Sequence, residues 1–392
     1  MADFEVLNVG QGDSILLRPS SGCRYGGKTV FIDLGPGRYD ITENIDRNDR
    51  VHIFLTHHDN DHLGGMHFFA GKMDQVEEII VPLYQNEITL IARAILNLKG
   101  IREAEDCGEF VKALEEVVNN QAFLVKVTGR GNPVPQLTFA YEGRDFCKHI
   151  KCLNPPCCLE NYDWLGEADR QNLTGLMQEL FTGEFAEEME RYIHSAEHGY
   201  VSADSPEFMR FWLRDWQYED MESYRAGCNY VLGFFAENVS LLRQFNATGS
   251  RKCMRKIYKN YVKCTHDICT VLWMKFGSEP SVLLAGDASK KVFERLIREG
   301  KAISADYLKM PHHGSRHNMN RKILRQINPE TVIISHDNRR FGRAKDSHPN
   351  QEVLDLLQSE HVNILITNDV VKNGIIVMQK QRHSQDDYIM IR

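Results

Sequence analysis

Six consecutive residues, His57-His58-Asp59-Asn60-Asp61-His62, follow the apolar run VHIFLT (51–56) and precede a glycine pair at 64–65. Such a run, closed by polar and Gly signals, predicts a buried strand. The polar stretch then falls at the strand's end, where turns let several side chains converge. Imidazole and carboxylate suit borderline-to-hard divalent ions. One ion rarely takes five ligands from six neighbours, so two ions sharing them are expected. A polar surface loop with chance histidines is the plain alternative.

Partners recurring downstream argue against that alternative. SVLLAGD puts Asp287 at the end of an apolar run, and DYLKMPHHGS puts His312, His313 and Ser315 after another. His266 precedes the run TVLWMKF (270–276), and FIDLG carries Asp33. A lone Asp after a strand is more often a turn residue or helix cap. Repeated placement at strand ends points to one sheet edge, where sites form.

Elements are expected in a mixed α/β order. FEVLNV, SILLRP, TVFIDLG, VHIFLTH and EIIVPLY read as strands, 87–99 and 108–121 as helices, and AFLVKV (122–127) and LTFAY (137–141) as strands again. Residues 160–245 have helical patterns rich in aromatic, Glu and Met side chains. Strands and helices then alternate to 367, and GIIVM (374–378) and YIMI (388–391) close the chain as strands. No fixed-period repeat or low-complexity tract occurs. Two sheets layered between helices are expected.

The net charge of −7 is unevenly spread. Residues 145–250 hold 18 acidic and 8 basic side chains, while the rest of the chain has 39 basic and 36 acidic. That remainder is not hostile to an anionic substrate. The N-terminus lacks the basic region of a secretory signal, and no apolar run approaches the roughly 18 residues of a membrane span. A cytoplasmic protein with no membrane partner is expected. The ten cysteines are scattered apart from Cys147, Cys152, Cys157 and Cys158, so reduced thiols are expected. A structural zinc held by these four and His149 is the alternative, although the spacing is no familiar knuckle.

The motifs NVGQGDSILL (8–17), FIDLG (31–35), LTHHDNDHLGG (55–65), LLAGD (283–287), DYLKMPHHGS (306–315) and SHPNQEVL (347–354) resemble the metallo-β-lactamase superfamily. The likeness is nearer to one branch, the hydrolase domain of the DNA-uptake protein ComEC and its stand-alone relatives. It covers roughly residues 1–85 and 265–365 and implies an αββα sandwich with a mostly helical insertion. The expected division is 1–144 and 263–392 for the two halves of the sandwich and 145–262 for the insertion. By the resemblance, His57 and Asp59 bind a first metal, with His266 as a further ligand. Asp61 and His62 bind a second, completed by His312 or His313, and Asp287 bridges the two. Asp33 orients ligands by hydrogen bonds. Asp59 stands where the wider superfamily has His, which shifts preference toward Mn²⁺ or Mg²⁺ while leaving Zn²⁺ open. ComEC carries membrane-spanning segments that are not seen in this sequence, so DNA translocation is not implied.

The resemblance implies a metal-dependent hydrolase in which hydroxide formed near neutral pH attacks phosphorus or a carbonyl carbon. Asp61 is the candidate to orient it; His336 and His348 are candidates to protonate the leaving group. Gln11 and Asp13, in the tight turn Gly10–Asp13, and Ser315 are candidate substrate contacts. Two basic stretches, 251–263 with Lys252, Lys256, Lys259 and Lys263 on one helical face, and 338–345 with Arg339 and Arg340, suit phosphate contacts, though a solvated face is the commoner meaning of such runs. A phosphodiesterase or nuclease acting on a nucleic acid or nucleotide is the first expectation. Hydrolysis of a small ester, lactone or amide is the second, and a non-catalytic metal-containing regulator binding a protein through the insertion is the third.

Overall fold

The structure is a computed structural model that describes residues 3–19, 22–104, 106–129, 131–157, 167–198, 221–336, 348–367, 369–372, 375–378 and 388–391. The chain divides into two compact units. The first unit, residues 1–83, 127–155 and 266–392, holds two seven-stranded sheets. In chain order, the first sheet comprises β1 (Asp3–Leu7), β2 (Ser14–Arg18), β3 (Thr29–Leu34), β4 (Val51–Phe54), β5 (Val76–Pro82) and β6 (Gln136–Ala140). The second comprises β7 (Asp145–Cys147), β8 (Ile150–Asn154), β9 (Val271–Met274), β10 (Val282–Leu284), β11 (Tyr307–Lys309), β12 (Thr331–Ile334) and β13 (Asn363–Ile366). A short ribbon, β14 (Asp369–Lys372) and β15 (Ile375–Met378), follows, and β16 (Tyr388–Ile391) returns to pair antiparallel with β1 in the first sheet.

Each sheet changes character midway. β1–β3 form an antiparallel meander, while β3 to β6 run parallel. β7 to β10 are antiparallel, while β10 to β13 are parallel. Parallel strands need crossovers and bury both faces, which is why VLL (282–284) and VII (332–334) read as unbroken apolar runs. Alternation sorts each strand's side chains between two cores. Val282 and Leu284 face Ile15, Val30, Ile32, Phe54 and Ile80 of the first sheet, forming the seam between the sheets. Leu283, from the same strand, joins Phe293, Leu296, Ile323, Leu324, Val353 and Leu357 on the helical side. These are the layers of an αββα sandwich.

The second unit, residues 84–126 and 156–265, is helical. It contains the helix Gln85–Leu96 and most of the helices Gly108–Thr128 and Arg251–Asp267, with Glu167–Leu180, Gly183–His198 and Met221–Thr248 between them. Phe181 packs edge-on against both Phe185 and Phe235 at its centre. Arg93 forms a two-pronged ion pair with Glu188 at 3.0 and 3.2 Å.

Two expectations differ from this arrangement. AFLVKV is not a strand: it continues the helix Gly108–Thr128, because buried Phe110, Leu114, Val117, Gln121, Leu124 and Thr128 recur every three or four residues. The helical unit also departs from the expected span 145–262. Residues 145–154 form β7 and β8, with Ile150 and Cys152 buried and Lys151 exposed between them, whereas residues 84–126 join the helices.

The first sheet also buries a polar knot at Glu78. Its carboxylate accepts from Thr138 Oγ1 at 2.7 Å, Arg24 at 2.9 Å and His52 Nδ1 at 3.1 Å. Burial alone would raise its pKa, but the bonds from His52 and Thr138 and the charge of Arg24 outweigh it and hold the carboxyl below its ordinary value. A lowered folded-state pKa contributes stability above the unfolded value and loses it as pH falls through the folded one. Glu78→Gln is therefore expected to cost about 1–3 kcal/mol at pH 7, a deficit that shrinks below roughly pH 4.3. Urea unfolding of both proteins between pH 3 and 7 checks this.

Candidate metal centre

The edge where β3, β4, β10 and β11 end gathers the side chains expected there. Thr56, two residues past β4, turns the chain so that its amide donates to Asp33 Oδ1 and its hydroxyl to Asp33 Oδ2, both at 2.7 Å. His62 Nδ1 also lies 2.7 Å from Asp33 Oδ2, and His57 Nδ1 lies 3.1 Å from the Thr56 hydroxyl. The Thr56 proton is spent on Asp33, so its oxygen accepts from His57 Nδ1–H. Both imidazoles thereby keep a proton on Nδ1 and turn Nε2 toward the site. Asp33 holds this position at φ 58°, in the left-handed region.

The Nε2 atoms meet Asp287. His62 Nε2 is 3.3 Å from Asp287 Oδ1, His57 Nε2 3.7 Å from Oδ2, His312 Nε2 3.5 Å and His266 Nε2 4.0 Å from Oδ2. Asn318 Nδ2 fixes the Asp287 backbone by donating to the carbonyls of Asp287 and Ala288. Asp59 caps the helix Asn60–Leu63 by position, but its carboxylate makes no cap hydrogen bond and instead stands 3.5 Å from His57 Nε2. On the other side, His313 donates from Nδ1 to the Ser335 carbonyl and presents Nε2 3.0 Å from Asp61 Oδ2. His312 and His313 both have positive φ, 48° and 52°, which splays their rings to different partners. His313 groups with Asp61 and His62, and His312 with His266 and Asp287.

These donors fit divalent cations. His57 Nε2, His62 Nε2 and Asp287 Oδ1 are buried without a hydrogen-bond partner, an arrangement that is costly unless a cation binds there. Burial disfavours charge on His62, yet Asp33, Asp287 and Asp61 outweigh it and raise its pKa well above the ordinary value. Burial would raise Asp287 too, but His312 and His62 hold its carboxyl well below the usual range. Burial, with His312 beside it, pushes His266 down to about 3, leaving a neutral imidazole at pH 7. Burial also lowers His58, to about 4, and its Nε2 lies 3.4 Å from Asp59 Oδ1.

The turn before β2 packs on this loop. The Asp13 amide donates to the Asp61 carbonyl at 3.1 Å, and a Cβ on Gly12, whose φ is +150°, would lie 2.4 Å from that oxygen. Only glycine fits there. Asp13 pairs with Lys309 at 2.7 Å, and its Oδ1 is 3.6 Å from His313 Nδ1. Lys309 is 1% exposed.

Other expected site residues are placed less directly. His348 is buried with its ring 4.9 Å from that of His312. His336 is buried just after β12, its amide donating to Thr367. Ser315 is buried, and its hydroxyl accepts from the His317 amide. Gln11 is buried, with neither carboxamide atom hydrogen-bonded. Arg339 and Arg340 lie outside the described residues, as does Cys158. The remaining cysteine cluster is not assembled: Cys152 donates to Asn154 O, His149 Nδ1 bonds Lys275 O, Cys157 is exposed, and Cys147 meets Cys23 instead.

Three residues were not singled out beforehand. Thr56 fixes two imidazoles. Cys269 Sγ accepts from the Asp287 amide at 3.2 Å and lies 3.7 Å from His57 Nδ1. Lys309 was legible as a lone cation inside the apolar strand DYLKMP; the other two carried no such signal.

A paired sandwich with His and Asp groups at one sheet edge defines a metallo-β-lactamase-fold protein, and residues 7–94 match the family model described as the metallo-beta-lactamase superfamily. Over 107 residues the chain is 37% identical to ComE operon protein 3 of Bacillus subtilis (strain 168), a likeness to the ComEC-like branch. The aligned stretch is 27% of this chain and 13% of that longer protein. Among the described residues, no helix is long and apolar enough to cross a membrane.

Asp33→Ala is expected to lower metal affinity about 10–100-fold, because His62 loses its acceptor and the Thr56 hydroxyl that orients His57 loses its anchor. Metal titration by calorimetry checks this, with circular dichroism confirming the fold.

Proposed function

We propose that the chain is a metal-dependent phosphodiesterase acting on a nucleic acid or nucleotide, with His57, Asp59 and His266 on a first divalent ion, Asp61, His62 and His313 on a second, and Asp287 between them. The carrying observation is the convergence of buried, unbonded Nε2 and carboxylate oxygens from distant strand ends on Asp287. Three aspartates among the donors favour Mn²⁺, with Zn²⁺ and Mg²⁺ as further options. When bound, such a pair lowers the pKa of water and stabilises charge developing on the substrate's oxygens.

The chain's own groups supply the rest. Asp33 and Thr56 hold the His57 and His62 protons on Nδ1. Lys309 neutralises Asp13 beside His313, so the second side of the site keeps its shape without a further cation. Asp61 is the group assigned to orient the attacking water. His348, next to His312, is the proposed proton donor to the leaving oxygen, and His336 the alternative. Gln11, whose carboxamide has unspent donors, is assigned to a non-bridging phosphate oxygen, with Asp13 supporting that turn and Ser315 the adjoining loop. Arg339 and Arg340 are assigned to phosphate charge.

The helix Arg251–Asp267 supports a polyanionic substrate. Lys252, Lys256, Lys259 and Lys263 are all exposed along one side and form no described ion pair, while Cys253, Met254, Ile257 and Tyr261 bury the other. The row spans about 16 Å at 1.5 Å per residue, a scale on which a strand presents several phosphates. The same helix carries His266 in its last turn.

Two experiments test this reading. Asp61→Ala and Asp287→Ala are each expected to reduce hydrolysis of bis-p-nitrophenyl phosphate with Mn²⁺ at least a thousandfold while the circular dichroism spectrum is unchanged; retained turnover would sink the assignment. Replacing the four lysines by alanine should weaken binding of a 30-nucleotide single strand in EDTA about tenfold. It should also flatten the dependence of log K on log salt by up to ~3, while leaving hydrolysis of the small diester intact.

A further inference from the structure

At the end of the first unit opposite the metal edge, Cys23 and Cys147 stand with their Sγ atoms 2.8 Å apart. That is closer than unbonded sulfurs ordinarily approach and within an ångström of the disulfide bond length of about 2.05 Å. Cys23 lies in the connection between β2 and β3, and β3 runs away from it toward Asp33. Cys147 ends β7 just before β8, which runs away from it toward Asn154, whose side chain bonds the Cys269 carbonyl. Both thiols are half-buried and pack on the seam between the two sheets. Among the described residues, no third His, Cys, Asp or Glu joins them in a metal-binding group.

We propose that Cys23 and Cys147 form a reversible oxidation site, taking a low-molecular-weight disulfide as oxidant and closing an intramolecular disulfide that staples the first sheet to the second. One cysteine thiolate attacks a sulfur of the small disulfide, forming a mixed disulfide and releasing one small thiolate. The other cysteine loses its proton and attacks the protein sulfur of that mixed disulfide. The Cys23–Cys147 bond forms and the second small thiolate leaves. Two protein thiols are oxidised by two electrons, one small disulfide is reduced, and the two protons end on the released thiols. Burial and the contact with Cys23 push the Cys147 thiol up to about 11, so exchange at neutral pH is slow and quickens as pH rises. The closed loop spans 124 residues, a length at which a cross-link strongly restricts the unfolded chain.

The full chain, incubated with glutathione disulfide and quenched by alkylation, is expected to lose two alkylatable thiols and yield one cross-linked peptide pair containing Cys23 and Cys147. Its melting temperature should rise by roughly 5–10 °C and return on adding dithiothreitol. Diester hydrolysis should be unchanged, because the bond lies at the far end from the metal edge. Cys23→Ser, Cys23→Ala and Cys147→Ser should each remove both the cross-link and the rise. Full alkylation of both cysteines after oxidation overturns the proposal. So does glutathione retained on either cysteine without the bond, or a rise that persists in the variants.

Discussion

Carboxylates crowded at a largely buried sheet edge must be balanced by positive charge, and most of the site's architecture follows from that requirement. Asp13, Asp33, Asp59, Asp61 and Asp287 approach one another around His57, His62, His266, His312 and His313. Uncompensated, a buried carboxylate is costly, and the chain answers it in three ways. Asp33 is satisfied by two bonds from Thr56 and one from His62. Asp13 has its own fully buried lysine. Asp287 and Asp61 are left facing imidazole Nε2 atoms, positions at which a divalent ion would take the place of the protons that otherwise balance the carboxylates.

The fold supplies the rigidity that this balance needs. Strands buried on both faces position their ends with little freedom, and the groups that follow β4, β10 and β11 sit three to eight residues beyond those ends. Left-handed backbone at Asp33, His312 and His313 concentrates strain where side chains must be aimed and nowhere else along those strands. The helical unit, by contrast, stands on its own aromatic core and a paired arginine.

Much of the edge was legible because ligand chemistry and strand endings coincide in the sequence: His57 to His62, Asp287 and the 312–313 pair each follow an apolar run. The choice between His312 and His313 was not, because it depends on two successive left-handed residues that composition does not announce. Thr56 and Cys269 escaped notice because their role lies in a hydrogen bond made across the fold. AFLVKV read as a strand because six mostly apolar residues fit either period, and only the buried positions upstream reveal the helix. β7 and β8 were absorbed into the insertion because short strands around a turn leave too little alternation to outweigh the change in composition.

β16 pairs with β1, so residues 4–7 find their hydrogen-bonding neighbours at 388–391. During synthesis at roughly 5–20 residues per second, the outer backbone of β1 waits on the order of 20–80 seconds for that neighbour to emerge. Throughout the interval the nascent first sheet offers an unpaired edge, the surface on which chains join strand to strand. Pairing of the outer edge of β1 is thereby tied to the emergence of residues 388–391.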